Sequence, residues 1–127
     1  MKFVDTNVYM YAVGRAHPLR DAARDFFAQA ARAHLPLCTS PQVLHELMQH
    51  TFCRGGWKTV NALTLADSPE TEIWPFERED IYLALRLRRR FPALSARDLC
   101  HLACCSRRHV ADNKTFDRAF AGAVEST

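Results

Sequence analysis

The sequence predicts a three-layer α/β domain built on a mainly parallel sheet of four or five strands. Three observations carry that expectation. Short runs of strand-forming residues alternate with longer stretches whose apolar side chains recur at helical spacing. The first run, Phe3-Val4, is followed at once by Asp5-Thr6-Asn7, three short polar residues of the kind that start a helix. The 127 residues hold no internal repeat, low-complexity tract or long linker, so residues 1–127 are expected to form a single domain.

Residues 2–5 form the first expected strand, and Thr6 to Val13 a short helix ended by Gly14. A second helix is expected over 18–33, where Leu19, Ala22, Ala23, Phe26, Phe27 and Ala30 share a face. Residues 35–39 form a second strand, with Pro36 at its start or on an edge. Ser40-Pro41 then opens a helix, a capping residue followed by Pro at the first helical position. Val43, Leu44, Leu47 and Met48 give that helix an apolar stripe, with Glu46 set among them. Gly55-Gly56 breaks the chain, and residues 57–66 form another helix. A third strand at 72–75 precedes a helix over 77–90, which Phe91-Pro92 stops. Ser95 caps the next helix, with Asp98 three residues on. The spacing predicts a fourth strand over 109–111 and a short helix over 114–121, stopped at Gly122. Residues 123–127 are a final edge strand or a frayed end.

Composition narrows the function classes. Hydrophobic residues make up 48% and charged residues 24%, ordinary for a globular chain. No apolar run nears the roughly 20 residues that span a bilayer. The N-terminus lacks the basic-then-apolar order of a secretory signal, so a cytoplasmic protein without a membrane partner is expected. The net charge of +3 is compatible with an anionic partner. Five cysteines, an odd number, read as reduced thiols filling apolar positions. Cys100, His101, Cys104 and Cys105 invite a zinc reading, but paired ligands from a second segment are missing, and core packing is the expectation.

The chemistry rests on carboxylates. Ligands of parallel α/β sheets bind beyond the carboxyl ends of the strands. Asp5 and Asp112 follow the expected first and fourth strands, Glu46 lies on the helix after the second, and Asp98 lies in a first helical turn. Converging carboxylates repel, and the usual resolution is a hard divalent cation with oxygen ligands. A bland reading stands beside each: Asp5 and Asp98 as helix caps, Glu46 as a solvated side chain. Arg86, Arg88, Arg89 and Arg90, with Arg107 and Arg108, form either a phosphate-binding surface or a solvated helix face.

Three stretches in order resemble the motifs of PIN-domain ribonucleases: Asp5-Thr6-Asn7, Val43-Leu44-His45-Glu46-Leu47, and Ala96-Arg97-Asp98-Leu99-Cys100-His101-Leu102-Ala103. Length and spacing are most similar to VapC toxins of type II toxin–antitoxin systems. The resemblance implies a PIN-like fold and an RNA endonuclease dependent on Mg²⁺, or Mn²⁺, in which clustered carboxylates hold a metal-activated water. It implies Asp5, Glu46 and Asp98 as the core acids. The family pattern has Thr-x-Asp after the fourth strand, followed by a Phe. Counting from the strand end puts Asp112 at the acid position; counting back from Phe116 points to Asn113, and Asp117 is a third choice. Asp112 is favoured as the fourth catalytic and metal-binding acid, because an ionised oxygen binds Mg²⁺ better than an amide. Thr6 or Asn7 would position a ligand water or the phosphate. Arg97 either orients a carboxylate or touches the phosphate, or forms an exposed structural ion pair, and His101 is either an outer support of the metal or a structural histidine. A homodimer and an antitoxin partner are implied as well.

Two other readings fit parts of this pattern. A haloacid-dehalogenase type of phosphoryl transfer also begins with an Asp after the first strand, but it needs a second Asp where this chain has Asn7. A non-catalytic PIN-like module that binds RNA is the other.

Overall fold

The computed structural model describes all residues, Met1–Thr127. Strands and helices alternate: β1 Lys2–Val4, α1 Thr6–Val13, α2 Arg20–Arg32, β2 Leu37–Thr39, α3 Pro41–Phe52, α4 Gly56–Ala66, β3 Thr71–Ile73, α5 Arg78–Leu87, α6 Ala96–Arg107, β4 Asn113–Lys114 and α7 Arg118–Glu125. The four strands form one sheet in the order β3-β2-β1-β4, with every pairing parallel. The fifth strand left open at the C-terminus is absent: residues there continue α7.

Parallel strands need helical crossovers, and those helices bury both faces of the sheet. β1 shows the result: Phe3 and Val4 are fully buried. The Phe3 ring lies 5.9 Å from Trp74, 5.6 Å from His101 and 6.1 Å from Phe120. Val8, Tyr9, Val43, Leu47, Leu102 and Val124 complete a continuous core around it. Because β1 is interior and short, Asp5 leaves it at a well-fixed point.

Local chemistry accounts for most boundaries. Ser95 accepts from the Asp98 amide at 3.2 Å and so sets the start of α6. Ser40 occupies the expected cap position of α3, yet its hydroxyl makes no cap bond and is buried without a partner. Pro41 at the first helical position supplies the start instead. α5 begins with the Asp80 carboxylate accepting from the Glu77 amide at 2.8 Å while the Asp80 amide donates to the Glu77 carbonyl.

The largest departure from expectation is β4. Residues 109–111 are not strand; β4 lies at Asn113–Lys114. The cause is the end of α6. His109 adopts φ 56°, its amide donates to Ser106, and the Val110 amide donates to Cys105. That pair of bonds is the left-handed helix stop usually made with glycine. His34 repeats it after α2 with φ 50°, its amide donating to Ala31 and that of Leu35 to Ala30. Residues 109–111 are thus consumed in turning the chain. α7 shifts with them, and Gly122 lies inside it rather than after it.

Candidate active site

Asp5 sits where β1 meets α1, 6% exposed. Its Oδ1 accepts from the Thr6 amide at 2.8 Å, so it caps α1. Its Oδ2 accepts from the Thr115 hydroxyl at 2.7 Å. Glu46 lies on the inward face of α3 with Val43, Leu47 and Thr51, and is 5% exposed. Its Oε2 accepts from the Thr6 hydroxyl at 2.5 Å, and its Oε1 meets His101 Nε2 at 3.0 Å. One residue, Thr6, therefore joins the two acids. It is bonded to Asp5 through its amide and to Glu46 through its hydroxyl.

α6 brings the remaining groups. Asp98 and His101 are three residues apart and share a helix face. Asp98 is half-buried and close enough to Asp5 to act on its charge. His101 is buried between Phe3 and Phe120, and its Nδ1 has no hydrogen-bond partner. The Glu46 carboxylate can only accept, so Nε2 carries a proton and donates to it.

The electrostatics of the two acids differ. Burial is the largest influence on Asp5 and pushes its carboxyl above the ordinary range. His101, the Thr115 hydroxyl and the Thr6 amide pull it back, and Asp98 adds a like-charge push. Burial would also raise Glu46. There the hydrogen bond and charge of His101, together with Thr6 and Arg97, outweigh burial and hold the carboxyl below its ordinary value.

Asp112 does not join this group. In the observed register it precedes β4, at the end of the sheet opposite the site; its carbonyl accepts from the Phe3 amide. The side chain is 65% exposed, and Lys2 Nζ lies 3.7 Å away. The four-residue shift of β4 is the reason. Asn113 is a strand residue paired with Phe3 and makes no side-chain hydrogen bond to the acids. Position after the strand falls to Thr115 instead. Thr115-Phe116-Asp117 is itself a Thr-x-Asp sequence, with Phe120 three residues later, and that order was the available signal. Asp117 caps α7, its Oδ1 accepting from Ala119 and Phe120, and its amide donates to the Thr115 hydroxyl.

The other supports are placed as follows. Asn7 donates to Thr115 at 3.4 Å and accepts from the Phe116 amide at 3.3 Å, which ties α1 to the segment after β4. Arg97 is exposed, with its charge felt at Glu46. Arg107 and Arg108 are not available as a phosphate surface. Both are bonded to Glu77 and Asp80, and Arg108 also donates to the Pro75 carbonyl. All five cysteines are free thiols; Cys38, Cys104 and Cys105 fill the core, while Cys53 is exposed.

No three His, Cys, Asp or Glu side chains are grouped tightly enough to close on a metal ion by themselves. The donor set nevertheless fits a hard cation. Mg²⁺ usually takes one or two carboxylates directly and keeps several waters. Asp5 and Glu46 offer such a pair, and Asp5 carries a buried charge for which the chain supplies no hydrogen-bonded cation.

Comparison with known proteins places this arrangement in context. The model of the PIN domain matches residues 2–124. The chain is 49% identical to Ribonuclease VapC23 of Mycobacterium tuberculosis over 127 residues, covering 99% of this chain and 100% of that protein. It is 30% identical to Ribonuclease VapC13 of the same species over 121 residues, 94% of this chain and 92% of the relative. Among solved structures it is similar to M. tuberculosis VapC20, described as a sarcin-ricin loop cleaving toxin. The TM-score is 0.84 at 20% identity, with 97% of this chain and 95% of that one covered. It is also similar to VapBC2 of Rickettsia felis bound to a promoter DNA fragment, with TM-score 0.61, 22% identity and coverage of 85% and 82%. At those identities the two structures speak to the fold.

Proposed function

This chain belongs to the PIN-domain family as a VapC-type ribonuclease toxin, and from that premise we propose that Asp5, Glu46 and Asp98 hold a Mg²⁺ ion at which an RNA phosphodiester is hydrolysed. The observation that carries the reading is the meeting of two buried carboxylates, Asp5 and Glu46, at one hydroxyl-bearing residue, Thr6. Glu46 is compensated within the chain, but Asp5 is held above its ordinary pKa by burial, a stability cost that a bound cation would offset.

In this reading residues 1–127 act as one PIN-like domain. The family is divalent-metal dependent; Mg²⁺ is the expected ion and Mn²⁺ a competent substitute. When bound, the ion supplies Lewis acidity to the phosphodiester and lowers the pKa of water. The chain's own groups do the rest. Thr115 and the Thr6 amide fix the two oxygens of Asp5, so its carboxylate cannot swing. His101 and the Thr6 hydroxyl do the same for Glu46. Asp98, the least enclosed of the three, is the acid best placed to take the proton of the attacking water. Arg97 stands exposed beside it and meets a phosphate oxygen.

As a toxin the protein pairs with an antitoxin. Met48, Phe52, Trp57 and Val60 on α3 and α4, and Ile81, Tyr82 and Leu85 on α5, are large apolar side chains left exposed. Surface of that kind suits protein partners, and we infer a homodimer that binds the antitoxin in the cytoplasm. No helix is long and apolar enough to cross a membrane.

The test uses toxin freed of antitoxin and single-stranded RNA. Cleavage is expected with Mg²⁺ or Mn²⁺ and is lost in EDTA. Asp98→Asn is expected to abolish it with the fold intact. Undiminished cleavage in EDTA, or by Asp98→Asn, contradicts the reading.

A further inference from the structure

Beside the acids lies a hollow of about 310 Å³ with which the chemistry above has no business. α1 contributes Asn7 and Tyr11, the loop after it contributes Arg15 and His17, and Arg54 comes from the turn after α3. Asn7 links it to the site. Asn7 lines the hollow and donates to Thr115, and Thr115 donates to Asp5. The hollow therefore begins two hydrogen bonds from the carboxylate.

Its charge is the reverse of its neighbour's. Arg15 and Arg54 are exposed, and the lining includes no carboxylate. Neither takes part in any ion pair of the chain, whereas Arg107 and Arg108 are both tied to acids. A polyanion drawn to a cluster of acids needs unpaired cations at its flank.

The hollow also offers a flat ring held in place. His17 stacks on Tyr11 with centroids 4.4 Å apart and planes 23° apart. Tyr11 is braced in turn by the edge of Phe116 at 5.6 Å. His17 Nδ1 accepts from the Leu19 amide at 3.1 Å, which fixes the ring's rotation. The ring is exposed on its outer side and aligned by partners on its inner side, as a stacking platform for an unpaired base must be.

We propose that this hollow is a nucleotide subsite: an unpaired base of the RNA strand next to the scissile bond stacks on His17, and the adjoining phosphates are held by Arg15 and Arg54. It rests on the nuclease reading for the direction of the strand, but its own test does not require cleavage. The subsite binds by stacking and charge, so it favours an unpaired residue over a duplex without reading a full sequence.

Two measurements test it. In Mg²⁺, cleavage of a short labelled single-stranded RNA by the Arg15→Ala/Arg54→Ala variant should show KM raised about ten-fold with kcat within about two-fold. The slope of log affinity against log salt should fall by about 1.4, at about 0.7 for each lost phosphate contact. His17→Ala should raise KM about five-fold or more, and His17→Trp should restore it, because Trp stacks although it lacks the bond to Leu19. Binding of the same RNA to Asp5→Asn protein, with and without the two arginine changes, is read by fluorescence anisotropy. If the parent enzyme fails to cleave, the nuclease reading fails while this binding arm still decides the subsite. Unchanged KM, affinity and salt slope in the arginine variant overturn the proposal. Loss of antitoxin binding alone, with RNA affinity unchanged, also overturns it and assigns the hollow to a protein partner.

Discussion

Asp5 and Asp80 are both buried aspartates near the start of a helix, and their surroundings treat the charge in opposite ways. Asp80 is 0% exposed. It accepts from the Glu77 amide at 2.8 Å, from Arg107 at 2.8 Å and from Arg108 at 3.0 Å. Burial by itself would raise its pKa, but Arg108, the Glu77 amide and Arg107 outweigh that and hold the carboxyl below its ordinary value. Asp5 receives a hydroxyl and an amide but is bonded to no guanidinium, and burial outweighs the pull of His101, Thr115 and Thr6. One acid is completed by the chain and clamps the start of α5 to the end of α6. The other has no cation bonded to it within the chain, as the proposed metal role requires. Burial of a carboxylate therefore does not mark a site; burial without an internal cation does.

The difference can be broken from either side. The largest effect is expected at Asp5→Asn, where the amide oxygen can keep one of the two accepted bonds, the amide nitrogen replaces the other acceptor, and the charge is lost. RNA cleavage in Mg²⁺ should fall by roughly a thousand-fold or more, about 4 kcal/mol of transition-state stabilisation, with unchanged circular dichroism. Asp80→Asn should do the converse. It should lose about 2–4 kcal/mol of stability, softened because Arg107 and Arg108 can turn to water, and the midpoint of thermal unfolding should fall by about 4 °C for each kcal/mol. Its activity at low temperature should stay near that of the parent.

Acidity separates the pair more finely. A lowered pKa gives Asp80 a stabilising role that is present above the unfolded-state value near 3.9 and is lost as pH falls through the folded one. A raised pKa gives Asp5 the opposite sign. Metal-free protein carries no penalty below the unfolded-state value, and loses stability as pH rises through the folded one. Urea unfolding across that range should show the Asp80→Asn deficit shrinking in acid. Over the same scan Asp5→Asn should become more stable than the parent as pH rises. The smallest effect is expected at Asp112→Asn. It is a surface change beside Lys2 that should move stability by no more than about 0.5 kcal/mol and cleavage by less than about two-fold. Thr115→Val, by contrast, should reduce cleavage measurably, since Asp5 Oδ2 loses its donor.

Much of this was legible in the chain because the signals are local. Phe3-Val4 followed by Asp5-Thr6-Asn7 encodes strand, turn and cap within six residues, and the helix from Thr6 to Val13 stands as expected. Glu46 stands out as a charge among Val43 and Leu47 on an apolar stripe. The misreadings have physical causes. The stop of α6 uses His109 in a left-handed conformation where glycine would have announced it. The strand after it therefore begins later than the pattern predicts, and Asp112 falls before it rather than after it. The Asp80 clamp joins residues 27 and 28 apart, so no helical period connects Asp80 to Arg107 and Arg108. Those arginines resembled part of a basic face until the fold supplied their partners.

The central claim is that Asp5 and its neighbours are left for an external cation. Its most direct test is Mn²⁺ binding by titration calorimetry, comparing the parent with Asp5→Asn and Asp80→Asn at neutral pH. The account predicts saturable binding to the parent, retained by folded Asp80→Asn and lost in Asp5→Asn. Equal Mn²⁺ binding by the parent and Asp5→Asn would contradict it.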